Sequence, residues 1–261
     1  MLPDIREFDG YFFDWDGTIF LGDRLLPGVK EALAYLRERG KTIYFLSNTT
    51  IRTRKECQQR LQELGLEAHV EEMVTAAYAS AIYLRESGVA RAFVVGDQAM
   101  LEELDEQEVV HTADPLDATH VLVGMDRGFS YDKLHQAMKA VSNGAVLIAA
   151  NPDPHCPIPD DCLPDTWAMV KAIEAASCCA ASQVIGKPSA YYAAKVLEWS
   201  KLSYERCLMV GDRLETDILF GRQNGMRTAL VLTGVTSRRE MECSPIQPDY
   251  VWLTMDELLH S

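Results

Sequence analysis

Gly10-Tyr11-Phe12-Phe13-Asp14-Trp15-Asp16-Gly17-Thr18 decides the fold. Its first four residues show no polar alternation, so they read as a strand covered on both faces, and the run stops abruptly at carboxylates. Asp14 and Asp16 stand two apart, so with a strand's period of two their side chains start on the same side, and Gly17 lets the chain turn sharply beneath them. Trp15, between them, faces the other way and is expected to pack. Outward from this stretch, Pro27-Gly28 opens a helical pattern in which Val29, Leu33 and Leu36 share a face, closed by Gly40. A second buried strand, Thr42-Ile43-Tyr44-Phe45-Leu46, ends at Ser47-Asn48-Thr49-Thr50. Strand, helix and strand in this order make a βαβ unit, whose parallel strands deliver both polar stretches to one edge of the sheet.

The chain continues with a helix over 52–64, where Arg52 and Arg54 are expected on a solvated face, and another helix from Thr75. From Arg91 the pattern restarts: strands at 92–95, 119–123 and 145–149 alternate with helices at 98–104 and 131–142. A proline-rich loop (Pro152, Pro154, Pro157, Pro159, Pro164) and a helix over 166–177 lead to Gln183-Val184-Ile185-Gly186-Lys187-Pro188, with Pro188 expected to fix the start of the next helix, over 189–199. Strand Cys207-Leu208-Met209-Val210 ends in Gly211-Asp212-Arg213-Leu214-Glu215-Thr216-Asp217, and a last strand covers 228–232. The expected fold class is α/β: a Rossmann-like core with a parallel sheet formed by 1–78 and 185–261, and an inserted α/β domain over 79–184.

Twenty-five Lys and Arg against thirty-nine Asp and Glu give a formal charge of −14, the wrong sign for a protein that grips nucleic acid or anionic membrane surfaces. The middle stretch 79–184 holds most of it, with 16 acidic and 6 basic residues. With no apolar run near ~20 residues and no basic segment followed by an apolar one at the start, a cytoplasmic, non-membrane protein is expected. The seven cysteines show no C-x-x-C pair and read as reduced, mostly buried thiols. Cys156 and Cys162, near His155 and Asp153, are expected to serve the loop rather than a soft metal.

Four strand ends or adjoining loops thus carry polar groups: the Asp14/Asp16 pair, Ser47-Asn48, Lys187, and the acidic cluster 212–217. A transferring phosphoryl group needs this combination of carboxylates to hold a divalent cation, donors for its oxygens and a fixed positive charge. The set resembles the haloacid dehalogenase superfamily of phosphohydrolases, whose motifs D-x-D-x-T, S/T, K and an acidic cluster occur in this order. The insertion between the second and third motifs resembles that family's type-2 cap. The strings Leu46-Ser47-Asn48, Asn151-Pro152-Asp153, Gly186-Lys187-Pro188 and Gly211–Asp217 resemble its subclass A, the NagD-like and 4-nitrophenylphosphatase-like enzymes.

The resemblance implies Asp14 as a nucleophile forming an aspartyl-phosphate, and Asp16 as the acid and then base. It implies Mg²⁺ held by Asp14, the Asp16 backbone carbonyl and Asp212, and phosphoryl oxygens bound by Ser47, the Asn48 amide and Lys187, with Asp217 behind them orienting Lys187 or a metal-bound water. It also implies small phosphate esters as substrates (sugar phosphates, p-nitrophenyl phosphate, nucleoside monophosphates), with a homodimer through the cap as an option. Asp126-Arg127, Asn151, Asp153, Asp165 and Trp167 are the candidates for lining the entrance. Two departures from the branch pattern bear on substrate: Thr49 where Asn is usual, and Cys162–Trp167 where a Gly-rich turn is common. The rivals are a phosphotransferase or phosphomutase using the same aspartyl-phosphate, and a non-catalytic binding protein on this scaffold.

Overall fold

All four residues of the strand Gly10–Phe13 are buried, as an apolar run with no alternation requires. In the computed structural model, which describes residues 4, 6–88, 91–158 and 161–260, this strand is central. The six-stranded sheet runs in the order Tyr250–Trp252, Arg227–Val231, Cys207–Gly211, Gly10–Phe13, Thr42–Ser47, Met73–Thr75. The pairings among the first five strands are parallel, with Phe13 opposite both Val210 and Phe45. The expected α/β class with a parallel sheet is what the structure shows.

The chain divides into two compact units, one made of Met1–Ser47, Cys57–Val74 and Lys187–Ser261. In it, helix Val29–Glu38 buries Val29, Ala32, Leu33 and Leu36 on one face, the stripe its spacing predicts. Those residues pack with Tyr11, Phe13, Phe45, Cys57 and Leu61. Each such large apolar side chain contributes about 1.5–3 kcal/mol on burial. Trp15 is 2% exposed, with its ring edge-on to Phe20 at 5.6 Å, so it packs as expected.

The other unit comprises Asn48–Glu56 and Thr75–Gly186. Its five-stranded sheet, in the order Gln183–Val184, Val146–Ala149, His120–Val123, Arg91–Val95, Val110–His111, is parallel throughout. Val121, Val123, Leu147 and Ala149 pack with Ala137 and Val141 of helix Tyr131–Ser142 and with Val170 and Ile173 of helix Thr166–Ser177.

Three expectations need correction. The proline-rich stretch is not only loop: His155–Ile158 and Asp161–Pro164 form an antiparallel hairpin, Pro159 lying outside the described residues. Pro157 and Pro164 both fall in alternate pairs of the ribbon, where the N–H points away from the partner strand and none is needed. Arg54 is not on a solvated face, since its guanidinium lies 3.5 Å from the centre of the Tyr78 ring. The cysteines are not mostly buried, for Cys162, Cys178, Cys179 and Cys243 are exposed. Pro188 stands just before the helix, as expected: Ser189 is the cap of Ala190–Ser200, and the Lys187–Pro188 bond is cis. As for Cys156 and Cys162, the register pairs Cys156 with Leu163 and Cys162 with Pro157, which puts the two thiols on opposite faces of the ribbon and rules out a shared ligand site there. Among the described residues no helix is long and apolar enough to cross a membrane.

Candidate active site

The strand Gly10–Phe13 ends where the Asp14 amide donates to Val210 O at 2.9 Å, which fixes the first carboxylate beside the end of the neighbouring strand. Trp15 turns into the core and Asp16 turns outward, exposed. Gly17 has φ 83°, and a Cβ there would run into the Asp212 carboxylate, so both the backbone and the space demand glycine.

Lys187 is the hub. It is 1% exposed and donates to Asp14 Oδ1 at 2.6 Å, Leu46 O at 2.8 Å and Asp217 Oδ1 at 2.8 Å. An ammonium has three N–H donors, and these three bonds use them. Asp217 reaches the lysine from the turn Leu214–Ile218, and its other oxygen accepts the Arg213 amide at 3.1 Å. Asp212 follows the strand Cys207–Gly211, and its Oδ2 accepts the Val235 amide at 2.6 Å. The Ser47 side chain, 5% exposed, closes the strand Thr42–Ser47.

Carboxylate oxygens of Asp14, Asp212 and Asp217 lie within 4.8 Å of one another, with one buried ammonium among them. Burial, and then the charge of Asp217, hold the Asp14 carboxyl well above the usual carboxylate range. The same two causes push Asp212 up to about 7. Burial acts to neutralise Lys187, but Asp14 and Asp217 outweigh it and keep the ammonium charged. Fully ionised, the three carboxylates would outweigh their one ammonium, and they offer hard oxygen donors only. Those are the conditions that a divalent cation of the magnesium or calcium type fits.

The loop after the strand Arg227–Val231 belongs to this site and the sequence reading stopped short of it. Thr233 Oγ1 donates to Gly17 O at 2.6 Å, the Val235 amide holds Asp212, and a Cβ on Gly234 would overlap that carboxylate. Its signal was position: it follows another parallel strand and so reaches the same edge of the sheet.

The other candidates lie in the second unit. Asn48 Nδ2 donates to Asp153 Oδ2 at 3.0 Å, Asn151 Nδ2 donates to Asn48 O at 2.7 Å, and the Asp153 amide donates to Asn151 Oδ1 at 2.9 Å, so these three form one cluster. Trp167 reaches it through its backbone, the Trp167 amide donating to Asp153 O at 2.9 Å, while Asp126 and Arg127 are bonded elsewhere in the unit. Buried Asp126 pairs with Lys133 Nζ at 2.5 Å and accepts the Gly128 amide, while Arg127 pairs with Asp97. Asp165 caps helix Thr166–Ser177, and the Lys171 ammonium stands 4.4 Å from the centre of the Trp167 ring.

Residues 11–110 match the family described as haloacid dehalogenase-like hydrolase, and residues 184–258 match one described as HAD-hydrolase-like. The sugar-phosphatase AraL of Bacillus subtilis is 35% identical over 243 residues, 93% of this chain and 89% of that protein. Among solved structures, a p-nitrophenyl phosphatase from Archaeoglobus fulgidus superposes with a TM-score of 0.92 at 31% identity, over 98% of this chain and 100% of that one. NagD from E. coli K-12 gives 0.88 at 30% identity, over 96% and 98%. The chain belongs to the haloacid dehalogenase-like hydrolases, in their NagD-like branch. Within that family it is a phosphatase.

Proposed function

We propose that the chain is a Mg²⁺-dependent phosphomonoesterase for small phosphate esters, sugar phosphates and p-nitrophenyl phosphate foremost, working through an aspartyl-phosphate. The observation that carries the reading is the buried Asp14–Lys187–Asp217 network with Asp212 beside it at the carboxyl edge of the sheet. Asp14 attacks phosphorus through a carboxylate oxygen as the bond to the leaving oxygen breaks, and Asp16, exposed two residues on, gives that oxygen its proton. In the second half, Asp16 takes a proton from water, whose oxygen displaces Asp14 from phosphorus and releases inorganic phosphate. Asp14, the Asp16 carbonyl and Asp212 are the residues to hold the cation, which when bound supplies positive charge for the phosphoryl oxygens.

Ser47 and the Asn48 amide serve as donors to the phosphoryl oxygens. Lys187, its three donors directed at Asp14, Leu46 O and Asp217, acts chiefly as a fixed charge that orients the nucleophile. Asn151 and Asp153 hold the Asn48 loop. The middle unit is the cap. The names of the relatives support the substrate class, since AraL is a sugar phosphatase and the Archaeoglobus enzyme a p-nitrophenyl phosphatase.

Phosphate release from a panel of small esters, with Mg²⁺ or with EDTA, tests this on the native chain and on Asp14→Asn. Turnover that requires the cation and disappears in the variant is the expected result. Equal turnover in the variant, or none with any ester, refutes the nucleophile assignment. Transfer to an added sugar hydroxyl in place of water identifies the phosphotransferase reading instead.

A further inference from the structure

Two of the oxygens proposed above to hold the cation come from separate segments, the Asp16 carbonyl from the turn after the first strand and the Asp212 carboxylate from the end of Cys207–Gly211. Both segments are tied to a third. Gly17 is held on both sides: its amide donates to Phe20 O at 2.8 Å, and its carbonyl accepts from Thr233 Oγ1 at 2.6 Å. With φ 83° and no side chain, Gly17 has only these backbone groups by which the turn can be fixed. The Asp16–Gly17 peptide is planar and trans, so the Asp16 carbonyl points opposite to the Gly17 N–H and is fixed with it.

On the second segment, the Val235 amide donates to Asp212 Oδ2 at 2.6 Å and the Thr236 amide donates to Asp212 O at 3.2 Å. Side chain and backbone of Asp212 are thus held by the same short loop, 233–236, that holds Gly17. Gly234 brings the two together, since a Cβ on Gly17 would stand only 2.8 Å from its Cα. The loop is anchored at both ends. It leaves the strand Arg227–Val231, paired with Cys207–Gly211 as far as Leu230 opposite Gly211. It enters helix Arg238–Cys243 through Ser237, whose hydroxyl accepts the Glu240 amide while the Glu240 carboxylate accepts the Ser237 amide at 2.8 Å. Of its three bonds to the two segments, two come from main-chain amides that any residue supplies. The third comes from a side chain, that of Thr233.

We infer that Thr233 is a positioning residue for the cation: through Gly17 it fixes the turn that carries the Asp16 carbonyl to the loop that fixes Asp212, so that the two ligands keep one spacing. This role rests on the phosphatase reading proposed above, in which these groups hold Mg²⁺. Mg²⁺ demands near-ideal octahedral geometry, so its affinity falls when one ligand is free to shift. Thr233 acts through Gly17 and is not itself a ligand.

The test uses four full-length chains: native, Thr233→Val, Thr233→Ser and Asp212→Asn. For each, the Mg²⁺ dissociation constant is taken without substrate from the rise in melting temperature across a Mg²⁺ titration, starting from the value in EDTA. The Mg²⁺ concentration for half-maximal turnover of p-nitrophenyl phosphate is measured beside it. Valine keeps the branched shape and loses the hydroxyl, whereas serine keeps the hydroxyl. Losing a group that orients a metal ligand costs about 10–100-fold in affinity, so both Mg²⁺ constants are expected to rise about tenfold or more in Thr233→Val. Thr233→Ser is expected to restore most of that loss. A lower melting temperature in EDTA with unchanged Mg²⁺ constants marks a merely structural role and overturns the inference. So does a Thr233→Ser chain that binds Mg²⁺ no better than Thr233→Val. Those outcomes leave the phosphatase reading standing if the native chain binds Mg²⁺ and Asp212→Asn does not. A native chain that binds no Mg²⁺, or whose turnover is the same in EDTA, defeats the cation site itself and this inference with it.

Discussion

Replacing Lys187 by methionine removes the buried ammonium and leaves Asp14 and Asp217, 15% and 1% exposed, facing each other across a space of similar volume. Breaking a buried pair from one side costs about 3–5 kcal/mol, because the surviving charge keeps its desolvation penalty and loses its partner. With about 2–4 °C of melting temperature per kcal/mol in a chain of this size, the variant is expected to melt about 10 °C or more below the native protein at pH 7.5 in EDTA. The informative partner is Asp14→Asn/Lys187→Met/Asp217→Asn, in which the lysine and both carboxylates it pairs with are replaced together, leaving Asp212 held by the Val235 amide. Replacing a whole buried ion group is close to neutral, so the triple variant regains most of the loss, to within about 2 kcal/mol of native. Thermal unfolding followed by circular dichroism reads both. A Lys187→Met protein as stable as native, or a triple variant no better than the single, would refute the view that charge balance, rather than side-chain packing, ties this lysine into the site.

Divalent-cation binding should appear in stability as well as in activity. Adding Mg²⁺ to about 100 times its dissociation constant raises native stability by about 2.7 kcal/mol, and Asp212→Asn, which lacks a carboxylate of the cluster, shows little or no such rise in a melting titration. In the middle unit Glu103 is 1% exposed, its Oε1 accepting the Arg54 amide at 2.6 Å and its Oε2 buried with no partner. Burial holds its carboxyl above the ordinary 4.5, so the folded chain binds this proton more tightly than the unfolded one. Its contribution to stability is therefore fully present below pH 4.5 and is lost as pH rises through the folded-state titration. Urea unfolding of Glu103→Gln across pH 4–8 should show a flatter profile than native; identical slopes would exclude the effect.

How much of this could be read from the sequence depended on whether the determining atoms belong to side chains of telling types. Gly10–Phe13 and Cys207–Gly211 were legible because strands covered on both faces cannot afford a polar residue until they end, which makes Asp14 and Asp212 stand out. Lys187 was legible as a lone lysine next to a loop. What it binds was only partly so, since one of its three acceptors is the backbone carbonyl of Leu46, and any residue supplies a carbonyl. The hairpin His155–Ile158/Asp161–Pro164 was hidden by its prolines, which read as breakers in a wider sheet but are tolerated in a ribbon with two free sides. Arg54 read as a surface charge because nothing in its spacing reveals Tyr78 beneath it. The entrance candidates Asp126 and Arg127 were drawn from loop position and Asp165 from the family resemblance, and none of these signals shows that they bond Lys133, Asp97 and the start of a helix.

The ammonium of Lys187 and the carboxylate of Asp14 are 173 residues apart along the chain. During synthesis at about 5–20 residues per second, roughly 9–35 s separate the emergence of Asp14 from that of Lys187. Throughout that interval the nascent chain exposes its aspartates without the charge that orients them, and Asp212 and Asp217 follow later still. The whole second unit, closing at Gly186, is translated before the lysine arrives at the very next residue. On the proposed mechanism, no ribosome-bound fragment ending before Lys187 has the means to assemble the site.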